Sequence, residues 1–312
     1  RALLRIMGAL YETFFISDVA EITIEANPAT LSKDQLTALR KGGINRINIG
    51  VQSFDDANLS FLGRIHSGED ALKALQLAEK GEFDNIGIDL IYGLPGQTPE
   101  KWQKDIETTV SYGPAHISCY MLTFEPGTAM DNARKAGQFK APGDWVQAAL
   151  FLATARMLGQ NGYDHYEISN FAKSPHLRSL HNAGYWNNRP YLGLGPAAHS
   201  YAPPVRKANV RSVRRYIRRM EMGKSPVESS ETLDVRQQMM EAVYLGLRKA
   251  DGICYVEFNR RFQADFCDMF AAVIDRFAEK RYLIADADKC RLSLEGMLLQ
   301  ESIAGEFIQV FS

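Results

Sequence analysis

The sequence predicts an α/β fold built on a parallel sheet, followed by a smaller and mostly helical module. Three observations carry this. Short β-branched or aromatic runs alternate with amphipathic helical stretches between about residues 22 and 171. The alternation recurs at roughly 30–40 residues, the repeat of strand–helix units whose crossovers lay successive strands side by side and parallel. Beyond residue 232 the periodicity turns helical. A parallel sheet of this kind is either doubly wound or closed as a barrel, and both place their sites at the C-terminal ends of the strands.

The elements follow in order. A helical pattern occupies residues 1–14. Strand-like runs occupy residues 21–25, 46–51, 86–91 and 116–122, with a weaker one at 164–168. Ser32 caps a helix through Leu36, Leu39 and Arg40, and Gly42-Gly43 ends it. Residues 70–80 carry Leu72, Leu75 and Leu77 and stop at Gly81. Pro99 opens another helix, where its missing N–H does no harm. Residues 144–160 form the longest. The stretch 177–204, rich in Gly, Pro, Tyr, Trp and Asn, predicts an irregular segment, and long irregular segments often carry function. A basic helix is expected at 211–222, either as a solvated face or as a surface for an anionic partner or membrane. Residues 226–231 read as a linker. Helices at 234–249, 256–262 and 268–280, two short strands at 282–284 and 291–294, and a closing helix from Glu295 suggest a winged-helix-like module. The expected division is therefore 1–225 and 232–312.

Composition narrows the function. The 312 residues suffice for one large domain, or one domain plus a small appendix. Hydrophobic residues at 46% and charged residues at 23% exclude a disordered chain. Lys plus Arg number 36 against 37 Asp plus Glu, and the net charge of -1 argues against a polyelectrolyte clamp for nucleic acid. Cys119, Cys254, Cys267 and Cys290 form no C-x-x-C pair, which suggests a reducing, cytoplasmic setting. No uncharged apolar run reaches ~18 residues. The chain starts at Arg1, already inside a helical pattern, and is read as one whose N-terminus lies further upstream.

Polar residues near strand ends are the site candidates. Glu25, in Ile-Glu-Ala-Asn-Pro, is either a solvated loop carboxylate or a ligand for amino or hydroxyl groups. Gln52 either satisfies its loop or faces a ligand. Arg64, in Leu-Gly-Arg-Ile-His, is a surface arginine or a carboxylate or phosphate clamp. Asp89 interrupts an otherwise apolar strand, and a buried carboxylate needs partners or a ligand. A second cluster is Leu180-His181-Asn182-Ala183-Gly184-Tyr185-Trp186. Imidazole ligates iron and aromatic rings suit a flat macrocycle, although the same rings could simply close a barrel end. His199 is a weaker candidate. No nucleophile elbow, P-loop or H-E-x-x-H motif is present.

Taken together, Ile-Glu-Ala-Asn-Pro, Gly-Val-Gln-Ser-Phe, Leu-Gly-Arg-Ile-His, Asp-Leu-Ile-Tyr-Gly-Leu-Pro-Gly-Gln-Thr and Tyr-Met-Leu-Thr-Phe-Glu-Pro-Gly-Thr occur in one order along the chain. This set resembles the radical S-adenosylmethionine family of oxygen-independent coproporphyrinogen III oxidase-like proteins. His181, Asn182, Tyr185 and Trp186 match the H-N-x-x-Y-W signature of its haem chaperone branch. The resemblance covers essentially the whole chain. It implies a partial (β/α)6 TIM-like barrel lacking its first strand–helix units, with a winged-helix-like C-terminal domain. It implies S-adenosylmethionine at Glu25, Gln52, Arg64 and Asp89, with Thr123 as a further position. It implies haem at the His181 motif, with His181 as iron ligand, and a [4Fe–4S] cluster in the full-length protein. Haem would pass to client haem proteins such as respiratory enzymes at the membrane surface. The alternative it carries is oxidative decarboxylation of coproporphyrinogen III. The family's C-x-x-x-C-x-x-C motif and G-G-G-T-P segment are both absent from this sequence.

Overall fold

Alternation of polar and apolar side chains sets the sheet of the N-terminal part. The computed structural model describes residues 2–81 and 83–311. The chain divides into two units, Arg1–Ser179 and Leu180–Ser312. In the first, α1 (Ala2–Thr13) precedes β1 (Thr23–Ala26), α2 (Lys33–Lys41), β2 (Arg46–Gln52), α3 (Asp56–Phe61) and α4 (Gly68–Lys80). There follow β3 (Asn85–Tyr92), α5 (Pro99–Ser111), β4 (His116–Met121), α6 (Ala129–Lys135), α7 (Asp144–Gln160), β5 (Asp164–Glu167) and β6 (Asn170–Ala172). Arg1, the expected first residue of the leading helix, lies outside the described residues.

The sheet runs β1-β2-β3-β4-β6-β5, and its first four strands are parallel. The last two correct the all-parallel expectation. β6 pairs antiparallel with β4, and β5 antiparallel with β6. The two-residue connection Ile168-Ser169 can only close a hairpin, because a parallel return needs a long crossover. Ile47, Ile49, Val51, Ile88, Leu90, Ile117 and Cys119 line one face of the sheet and are buried. On that side α4 packs on β2, α5 on β3 and α7 on β4. Each such Ile or Leu contributes roughly 1.5–3 kcal/mol by leaving water. Caps fix where the helices start. Ser67 and Asp70 form a reciprocal capping box on α4, and Thr98 accepts from the Lys101 N–H at the start of α5.

The second unit holds α8 (Leu180–Trp186), β7 (His199–Ala202), β8 (Val205–Asn209), α9 (Val213–Glu221) and β9 (Val227–Thr232). After these come α10 (Val235–Gly246), β10 (Ile253–Cys254), α11 (Tyr255–Phe262), α12 (Phe266–Glu279), β11 (Leu283–Ala285), β12 (Lys289–Leu292), α13 (Leu294–Met297) and α14 (Gln300–Gln309). The first six of these give the helix–strand–helix–helix–strand–strand order of a winged helix, with the small sheet ordered β10-β12-β11. Phe258, Phe266, Phe270 and Phe307 form its core.

Residues 180–232 belong with this unit, whereas the sequence had suggested a change of domain between 225 and 232. The expected linker at 226–231 is strand β9, paired along β8. The expected irregular stretch contains α8 and β7. The basic helix α9 does present a solvated basic face, with Arg214, Arg215 and Arg218 exposed. Arg215 pairs with Glu228 at 2.9 Å, and Arg219 donates to the Val227 carbonyl at 2.8 Å. Val213, Ile217 and Met220 are exposed as well, each at least half accessible. Two of the arginines, Arg215 and Arg219, are held by β9 through Glu228 and the Val227 carbonyl. Among the described residues no helix is long and apolar enough to cross a membrane.

Candidate functional site

The second face of the large sheet is polar. In parallel ladders, paired residues point to the same side. Glu25 pairs with Asn48, Asn48 with Gly87, Gly50 with Asp89, and Asp89 with Ser118. Ser118 in turn pairs with Asn170 on β6. Arg46, Asn85 and His116 lie on the same face at the N-terminal ends of β2, β3 and β4. The residues of β2, Arg-Ile-Asn-Ile-Gly-Val-Gln, therefore split cleanly, with isoleucines and valine toward the helices and the polar set on the other side.

Asp89 is the centre of this face. Asn48 Nδ2 donates to Asp89 Oδ2 at 2.5 Å. Asp89 Oδ1 and Asn48 Oδ1 are buried and have no hydrogen-bond partner among the described residues. Burial pushes the Asp89 carboxyl above its ordinary range, and the charge of Glu25 pushes the same way, against hydrogen bonds from Asn48 and Ser118 and the charge of Arg46. Gln52 closes the top of β2 in the left-handed region, at φ 68°, next to a bulge. Its Nε2 stands 2.7 Å from where a Cβ on Gly50 would be, so glycine at 50 leaves room for the amide to fold back over the strand.

Toward the N-terminal end of β4, Tyr166 Oη hydrogen-bonds to His116 Nε2 at 2.7 Å. Burial lowers the His116 pKa to about 3, and the nearby Arg46 charge acts in the same sense. Asn170 donates to Glu167 Oε1 at 2.5 Å.

The structure thus brings Glu25, Gln52 and Asp89 onto one face. Arg64 is exposed in the turn between α3 and α4. That turn is tied to the C-terminal end of β2, because His66 Nε2 contacts the Val51 carbonyl at 3.0 Å. Thr123 is exposed just beyond β4, where the Leu122 N–H still donates to the Tyr92 carbonyl. Arg46, Asn48, Ser118 and Asn170 were not singled out from the sequence. The signal for them was the period-two polar alternation shared by β2, β3 and β4.

The second cluster lies on α8 and is described within its own unit. His181 is exposed and meets Tyr185 edge-on, with ring centres 4.8 Å apart. Tyr185 meets Tyr191 at 4.7 Å, and Tyr191 pairs with Tyr201 through a β-bridge. Asn182 is partly buried. Trp186 carries the Arg248 guanidinium 4.5 Å above its ring. His199 is exposed on β7.

The cysteines are dispersed. Cys119 is buried in β4, and the other three lie in the second unit. Among the described residues no group of three or more His, Cys, Asp or Glu is placed to hold a metal ion. These cysteines do not fit a three-thiolate cluster site.

Residues 2–109 match the Radical SAM superfamily, and residues 233–299 match the HemN C-terminal domain. The heme chaperone HemW of Bacillus subtilis is 34% identical over 94% of this chain and 77% of its own length. The Lactococcus lactis heme chaperone HemW is 32% identical over 97% of this chain and 79% of its own. Among solved structures, coproporphyrinogen III oxidase (HemN) from Escherichia coli superposes with a TM-score of 0.81 at 23% identity. It covers 98% of this chain and 73% of that one. That likeness establishes the partial TIM-like barrel fold of the radical SAM α/β class. With one fold, two matching family segments and relatives at this level of identity, this chain belongs to the HemW family of radical SAM proteins.

Proposed function

We propose that this protein is a haem chaperone that binds haem at α8 and passes it to client haem proteins, with S-adenosylmethionine held on the polar sheet face. The observation that carries the reading is the His181-Asn182-x-x-Tyr185-Trp186 set on one helix, in a chain 34% identical to a heme chaperone. His181 is an exposed imidazole, a side chain of the kind that ligates haem iron. Tyr185, edge-on to it, restricts how the imidazole turns. The Tyr185, Tyr191 and Tyr201 rings continue a surface suited to a flat macrocycle.

The radical SAM family implies S-adenosylmethionine and a [4Fe–4S] cluster. The polar face fits the former on one observation: Asp89 Oδ1 and Asn48 Oδ1 are acceptors left buried and unpaired. S-adenosylmethionine supplies an ammonium group and ribose hydroxyls, which are the donors such acceptors need. Asp89 and Asn48 would take hydroxyls, Glu25 the ammonium group, and Gln52 a further polar edge. Arg64 and Thr123, at the same end of the sheet, are the groups proposed for the carboxylate and rim. The cluster is not supported by the cysteines present, and no step is assigned to it.

Haem titration of the chain, followed in the Soret region, tests the reading. Wild type is expected to give a saturable spectrum that His181→Ala weakens by roughly tenfold or more. An identical spectrum and affinity for the variant would remove His181 from the role. The rival reading, oxidase activity on coproporphyrinogen III, has behind it a likeness of fold at 23% identity. Anaerobic conversion of that substrate by the reconstituted protein would favour it instead.

A further inference from the structure

A cavity of about 380 Å3 opens in the second unit, between the turn that follows α8, the end of α10, and α11. We propose that it is a carboxylate clamp, formed by Lys249, Arg261 and Arg189, which takes a propionate arm of the porphyrin. The propionate assignment rests on the haem reading above; the carboxylate site itself does not.

Charge is the first argument. Three cationic side chains line the cavity, Arg189, Lys249 and Arg261, against one carboxylate, Glu257. The excess favours an anion, and guanidinium groups suit a planar carboxylate. Lys249 is the deepest of the three. Its Nζ donates to Asn187 Oδ1 at 2.9 Å, which leaves further ammonium protons for an acceptor. Burial draws its pKa down while Glu257, Asp251 and Cys254 act against that, and an incoming carboxylate would act in the same sense as these three. Trp186 also lines the cavity, and its buried indole N–H has no acceptor among the described residues.

Size and position are the second argument. The volume is near the lower end of the roughly 300–1,000 Å3 that encloses a drug-sized ligand, so it takes an arm of the macrocycle and not the whole. Trp186 and His181 share α8 and stand five positions apart, about 7.5 Å along the axis. An iron ligand and an anion site are therefore carried on one short helix.

Two measurements on the whole chain test the clamp. In the first, sodium propionate is added while the indole N–H signal of Trp186, assigned with Trp186→Phe, is followed by NMR. A saturable shift is expected in wild type, lost in Lys249→Met and reduced in Arg261→Gln, whose position on the exposed rim spares the fold. Absence of a shift in wild type, or an equal shift in both variants, overturns the carboxylate site. In the second, haem is compared with its dimethyl ester. Wild type is expected to prefer the free acid by roughly tenfold, and Lys249→Met and Arg261→Gln to narrow that preference. Haem binding without any preference overturns the propionate role. If propionate binds but neither porphyrin does, the clamp stands and the haem reading falls.

Discussion

Asn48 reaches across the β2–β3 ladder to Asp89 over the bare backbone of Gly87. Their hydrogen bond spans 2.5 Å, and a Cβ on residue 87 would stand 2.1 Å from Asn48 Oδ1. The absence of a side chain at 87 is what lets the amide lie flat against the sheet and hold the carboxylate.

Gly87→Ala should therefore act on the site through Asn48. The methyl group forces the amide to rotate away, and Asp89 loses a charge-assisted hydrogen bond of about 1.5–3 kcal/mol. Affinity for S-adenosylmethionine or S-adenosylhomocysteine, measured calorimetrically, is expected to fall by roughly tenfold or more. Unchanged affinity would remove the Asn48–Asp89 pair from the site.

Asp89→Asn should separate stability from binding. Burial raises the Asp89 pKa, so the folded state holds that proton more tightly than the unfolded chain. The resulting stability is complete below the ordinary value of 3.8 and is lost as pH rises through the raised pKa. The amide variant has no such loss. Its urea midpoint relative to wild type should grow as pH is raised from 4 to 7, while its affinity for the nucleoside falls.

His116 should show the opposite slope. Its pKa falls from 6.5 to about 3, so neutral His116 stabilises the fold above pH 6.5, and that contribution drains away as pH falls toward 3. Acid unfolding of His116→Asn should be shallower across this window. Tyr166→Phe, which strips His116 Nε2 of its partner, is expected to cost about 1–3 kcal/mol at neutral pH in chemical denaturation.

The contact between α5 and α7 offers a check on the scaffold alone. Trp102 is fully buried, and its Nε1 donates to Thr154 Oγ1 at 2.8 Å. Thr154→Val keeps the shape and leaves the indole N–H unpaired. A loss of about 1–3 kcal/mol is expected, with nucleoside affinity unchanged.

The helix-covered strands were legible because burial on one face imposes a pattern. The runs at 46–51, 86–91 and 116–122 correspond to β2, β3 and β4 within a residue or two. β6 escaped because three residues hold no period, and its pairing depends on Ser118 and Ile117, far away in the chain. The β7–β9 sheet escaped for another reason. Val-Glu-Ser-Ser-Glu-Thr in β9 is polar and exposed, so only its ladder with β8 makes it a strand. On the polar face, Glu25, Gln52 and Asp89 were visible as polar residues in apolar surroundings. Asn48 was not, since an asparagine between two isoleucines draws notice only once Gly87 and Asp89 are seen beside it.

The two-sided sheet also makes an uneven demand on the gene. In β2 and β3 each odd or even position serves one side only, so exchanging one residue alters a single contact. Inserting or deleting one codon inside either strand instead transposes everything beyond it, driving asparagine and aspartate under the helices and isoleucine onto the polar face. In a scanning library, these strands should accept many point changes and almost no single-residue indels, whereas the loops around Gly127 and Gly137 should accept both.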